Sequence, residues 1–177
     1  MRAFRTELPG VTLGATTGAW AVDGADERLA QIRGWQELPD LASVNWHEDG
    51  TEELAAHLNE RNVGIEAGLW TVDAAEGWAS SPHAAECRRI LVEVPDLPDD
   101  RVRATPENIL AVIAESGHDL PILLHGEERS AWPAVRLARE LGLDTRIGLE
   151  DTLTRPDGTV TASNAELVAL CRDVWRS

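Results

Sequence analysis

Charged and hydroxyl side chains gather at one kind of place in this sequence, the ends of short apolar runs. In chain order they are Thr16, Thr17 and Gly18; Ser43, Asn45, His47 and Glu48; Glu66; Glu93; His125, Gly126 and Glu127; and Arg146, Glu150 and Asp151. The last group is the richest. In an extended Arg146-Ile147-Gly148-Leu149-Glu150-Asp151, strand alternation puts Arg146, Gly148 and Glu150 on one face. A buried Arg and Glu must be paired or bound to something. They form either a structural ion pair or an anion-binding Arg beside a basic or metal-binding carboxylate. His125 and Glu127 stand two apart, so a strand would aim both the same way, a spacing that suits two metal ligands. The bland alternative makes His125 a hydrogen-bonded histidine and Glu127 a helix cap. Other chemistries lack their motifs. No GxGxxG, GxSxG or GxxxxGK[ST] occurs.

The runs that must position these residues number six. They begin near Val11, Ala42, Val63, Arg89, Pro121 and Arg146. Each is short, rich in branched or leucine side chains, and ends in Gly or a polar group, as strands buried on both faces do. Helical patterns lie between them. Thr105-Pro106-Glu107 puts a cap before a first-turn proline. Ser130 opens a helix that Gly142 closes. Ser163-Asn164-Ala165-Glu166 matches a capping box, and Asp26 to Leu38 carries Leu29, Ile32 and Trp35 at helical spacing. Arg2 to Leu8 reads as a helix tail stopped by Pro9-Gly10. Alternating β and α units predict a parallel sheet with crossover helices. Polar residues at nearly every strand end favour a TIM-type (β/α) barrel, whose strand ends meet at one mouth. Eight such units take ~250 residues in a typical barrel, and the chain has 177. The expectation is a single domain over residues 1–177, an incomplete barrel of about six of eight units, with exposed edges at Val11 to Ala15 and Arg146 to Leu149.

Composition excludes several classes. Lys and Arg total 16 against 31 Asp and Glu, a net charge of −15, which repels nucleic-acid phosphates. No run approaches the ~18 apolar residues of a membrane span, and Met1-Arg2-Ala3-Phe4-Arg5, with no apolar run, gives no expectation of a secretory signal. Cys87 and Cys171 have no CxxC spacing, consistent with reduced thiols and a cytoplasmic setting.

Five segments taken in order, Thr16-Thr17-Gly18-Ala19-Trp20, residues 39–45, residues 64–70, Leu124-His125-Gly126-Glu127 and residues 146–151, resemble the β-keto acid cleavage enzymes, the family that includes 3-keto-5-aminohexanoate cleavage enzyme. The resemblance runs from Val11 to Val168. It implies a zinc-dependent (β/α)₈ acyltransferase that condenses a β-keto acid with acetyl-CoA, giving acetoacetate and a new CoA thioester. By position, Glu150 would be a zinc ligand, with His125 a residue that could be recruited as another. Arg146 and Asp151 would form the pair that activates the keto acid for deprotonation, and Glu66 would assist proton transfer. Thr17, Gly18, Ser43 and Asn45 would hold the substrate carboxylate. The family's first two strands and their His-x-His pair have no counterpart in this sequence, so weak zinc binding is expected. A homo-oligomer is also expected. The alternatives are a non-catalytic relative that binds a small carboxylate, or a fragment from a late gene start.

Overall fold

The structure, a computed structural model, describes residues 1–176. Its sheet has the strands β1 (Gly14–Thr16), β2 (Leu41–Asn45), β3 (Gly64–Leu69), β4 (Arg89–Val94) and β5 (Ile122–Gly126). They are parallel and ordered β1-β2-β3-β4-β5. The α-helices are α1 (Arg2–Glu7), α2 (Ala25–Arg33), α3 (Thr51–Glu60), α4 (Val72–Ser80), α5 (Ala104–Ser116), α6 (Ala131–Leu141) and α7 (Asn164–Arg176). Sequential parallel order with a helix after each strand is the winding of a TIM-type barrel, here as an open sheet. No described helix is long and apolar enough to cross a membrane.

Strand alternation sorts the two faces. Ala42, Val44, Ile65, Ala67, Leu69, Ile90 and Val92 point outward and are buried with Leu54, Leu58, Trp78, Ile109 and Ile113 of the helices. Ser43, Asn45, Glu66, Arg89, Leu91 and Glu93 line a cavity on the other face. A filled barrel packs its interior with layers of bulky branched side chains; this inner face is mostly polar.

The sixth expected strand is not a strand. Asp144 makes a single bridge to Leu123, and residues 145–148 form no ladder. That segment has a neighbour on one side only, and it ends in a turn in which the amides of Asp151 and Thr152 donate to the Gly148 carbonyl at 3.0 and 3.1 Å. The first strand is shorter than expected, starting at Gly14 rather than Val11. The cap at Thr105 is also corrected. α5 begins two residues earlier than that cap implies, at Ala104, with Pro106 still in its first turn, where a missing N–H costs nothing. α6 runs from Ser130 to a left-handed Gly142 as expected. The capping box at α7 is half formed. Ser163 Oγ accepts from the Glu166 amide, while Glu166 reaches past it to the Ala162 amide and the Thr161 hydroxyl.

Candidate active site

The cavity encloses about 580 Å³ and extends from the strand starts at Gly14, Leu41 and Arg89 to the strand ends at Asn45, Glu93 and Glu127. Its charged groups form three separate networks.

The first joins β4, β5 and the turn after residue 148. His125 is 1% exposed, with Glu93 and Asp151 also buried around it. Its Nδ1 lies 3.0 Å from Asp151 Oδ1, and its Nε2 lies 3.2 Å from Glu93 Oε2, off the line of a good hydrogen bond. Burial opposes a charge on this imidazole. The carboxylates of Asp151 and Glu93 outweigh it, so the pKa lies above the ordinary 6.5. An ionised carboxylate can only accept, so Nδ1–H donates to Asp151. Arg146 Nε, 3.4 Å from the same nitrogen, is a neighbour and not a donor to it. Arg146 Nη2 also reaches Asp151 Oδ1, at 3.4 Å. Five residues of extended chain would hold Arg146 and Asp151 apart, and the turn at Gly148 folds Asp151 back to meet the guanidinium. Asp151 Oδ1 takes both bonds. Oδ2 has no hydrogen-bond partner among the described residues, and Asp151 lines the cavity. Glu127, on the rim, has its pKa raised by burial and by the neighbouring carboxylate of Glu93.

The second network closes the far side of the mouth. Buried Arg28 pairs with Glu48 and donates to the Asp49 carbonyl. Glu48 accepts from the Ala19 amide and from Asn45 Nδ2, both at 3.0 Å. Nothing marked Arg28 in the sequence, because it sits on a helix pattern that reads as solvated. The third network is Ser43, Glu66 and Arg89. Glu66 accepts from Ser43 Oγ at 2.5 Å and from Arg89 Nε.

The structure redistributes the expected roles. Arg146, Asp151, Glu150, Glu66, Ser43 and Asn45 all line the cavity. Thr17 is turned away, donating to the Ser43 carbonyl at 2.6 Å, and Thr17 and Gly18 border a smaller pocket beside α2. Thr16 takes the inward position level with Ser43, so alternation turns Thr17 toward the helices, and neither Thr17 nor Gly18 lines the cavity where a carboxylate would be held. Glu66 has both oxygens engaged and does not reach Asp151's network. The metal pair is not assembled either. Glu150 has a 78% exposed side chain that approaches Arg146 at 3.7 Å, while both His125 nitrogens face carboxylates. Among the described residues no group of three or more His, Cys, Asp or Glu could hold a metal. The residues of this chain thus do not by themselves fit the zinc site that the resemblance implies.

No curated protein matches the chain. Among solved structures, a type I 3-dehydroquinate dehydratase from Clostridium difficile, with covalently modified comenic acid, is similar at a TM-score of 0.58 and 13% identity. The match covers 99% of this chain and 73% of that one. At that identity the likeness is one of fold. The family model described as beta-keto acid cleavage enzyme matches residues 99–177, a span that holds His125, Arg146, Glu150 and Asp151. The resemblance seen in the sequence is therefore met, over residues 99–177, by a match to the beta-keto acid cleavage enzyme family.

Proposed function

We propose that the cavity takes a β-keto acid and that Asp151 is the base acting on it, in the condensation with acetyl-CoA that yields acetoacetate and a new CoA thioester. The observation that carries this reading is the state of Asp151. One carboxylate oxygen is gripped by His125 and Arg146, the other is unbonded, and the residue lines a cavity within the span that matches the family. A base held by one oxygen keeps the second aimed, which is the positioning that general base catalysis requires. Its task would be to take a proton from the carbon next to the keto group. Arg146 stands where it would face negative charge as that proton leaves. His125 would hold Asp151 in place, with Glu93 behind it.

Zinc belongs to this reading through the resemblance alone, with Glu150 the one ligand position carried over. Assembly into a homo-oligomer is part of the same proposal. The experiment is to incubate the purified chain, with and without added zinc, with acetyl-CoA and a panel of β-keto acids, and to follow CoA thioesters by mass spectrometry. A new thioester matched by acetoacetate supports the reading. Acetyl-CoA unchanged with every acid contradicts it and leaves a carboxylate-binding relative.

A further inference from the structure

Thr16, Ser43, Glu66 and Arg89 are register partners on four adjacent strands, so they form one lateral row across the inner face of β1 to β4. Ser43, Glu66 and Arg89 are bonded along that row. Glu66 is 3% exposed and spends one oxygen on each neighbour. Arg89 is committed through Nε alone. Its two Nη groups have no partner among the described residues, and its side chain is 35% exposed and lines the cavity. An ion pair built only to tie strands together would lay the Nη fork onto the carboxylate as well. Here the carboxylate holds the guanidinium through Nε, in a residue that lines the cavity.

The position matters as much as the orientation. Arg89 opens β4, whereas Glu93, four residues on, is at the end that meets His125 and Asp151. At ~3.3 Å per residue their Cα atoms stand ~13 Å apart. The carboxylates of the mouth (Glu48, Glu93, Glu127, Glu150 and Asp151) all lie toward strand ends. Of the residues level with Arg89 on the inner face, Thr16, Ser43 and Glu66, Glu66 alone is charged.

We infer that Arg89 is a specificity residue that receives a second carboxylate, at the end of the substrate remote from Asp151. This rests on the β-keto acid reading and narrows it to dicarboxylic β-keto acids. A guanidinium fork matches a planar carboxylate in two parallel hydrogen bonds, which an ammonium cannot reproduce. Glu66 is then a positioning residue for Arg89 and not a proton carrier.

The test is calorimetric binding of glutarate, a five-carbon diacid, against valerate, the monoacid of equal length, with inorganic phosphate as a third probe. Glutarate is expected to bind at least ~10-fold more tightly than valerate, as a bidentate charged contact gives. Arg89→Lys keeps a cation beside Glu66 and should cut that preference to within ~3-fold. Removing Arg89 alone would strand the buried Glu66 charge, so the companion is the double variant Arg89→Met with Glu66→Gln, which should lose the preference as well. Melting curves establish that both variants are folded. Equal binding of the two acids, a glutarate preference that survives in both folded variants, or phosphate binding as tightly as glutarate overturns the inference while leaving the β-keto acid reading standing. If neither acid binds, the inference falls, and the β-keto acid reading stands or falls on the acetyl-CoA assay.

Discussion

At the scale of single residues, the two cysteines differ in environment. Cys87 is 4% exposed, and burial pushes its thiol up to about 11 from 9.0. Only the thiolate is nucleophilic, so the folded protein should leave Cys87 unmodified by iodoacetamide at neutral pH and release it on unfolding. The sign of the linked stability follows. Above pH 9 the unfolded chain loses this proton while the native one keeps it, so stability is intact below 9.0 and falls as pH rises toward about 11. Peptide mapping of alkylation across pH checks this, and rapid labelling of native Cys87 at pH 8 would refute it. Sequence patterns located the residues of the site better than their work. Arg146 and Asp151 are a pair in the sequence only through the family resemblance, since strand alternation sets Arg146 with Glu150. His125 was read as a ligand because a His and a Glu two apart share a strand face. What that spacing could not reveal is that Asp151 bonds one ring nitrogen and Glu93, distant along the chain, faces the other. Arg89 is invisible as a functional residue from sequence, since its meaning comes from register with Glu66.

At the scale of elements, the connections that hold strand ends in place rest on few groups. Ser130, fully buried, donates its hydroxyl to the Pro95 carbonyl at 2.5 Å and accepts from the Leu97 amide at 2.8 Å. It thereby ties the loop after β4 to the start of α6, and with it Glu93 and His125 at the adjoining strand ends. Ser130→Ala leaves a part-buried amide and carbonyl without their partner, a loss of ~1–3 kcal/mol. For a chain of this length that is a fall of several degrees in Tm, at ~2–4 °C per kcal/mol. A Tm within a degree of the parent would show that water replaces the hydroxyl. Among elements, the strands β2 to β5 were plain as short apolar runs closed by Gly or a polar group, and the helix between Ser130 and Gly142 by the residues at its two ends. The last run failed because a strand needs a ladder as well as a pattern, and residues 145–148 have none. The break is useful chemically. A turn at Gly148 brings Asp151 to Arg146, where a continued strand would carry it away.

At the scale of the whole molecule, sequential parallel winding gathers the strand ends on one side. Three networks from distant segments, centred on His125, Glu48 and Glu66, thus line one cavity. Barrel winding was legible from alternating β and α units. That its interior would be polar was not, because inward and outward positions of a doubly buried strand look alike until one face is seen to meet the helices. The proposal joins this cavity to one base, and one comparison tests that directly. Acetoacetate formation from a β-keto acid and acetyl-CoA is measured for the parent and for Asp151→Asn, with thermal melting of both. Asparagine keeps the shape and a hydrogen-bond acceptor for His125 while removing the basic oxygen. The expected result is a fall in turnover of ~10²–10⁴-fold, the usual worth of a general base, with a Tm shift of only a few degrees. Undiminished turnover in a folded Asp151→Asn protein would contradict the assignment and make Asp151, His125 and Arg146 a structural network alone.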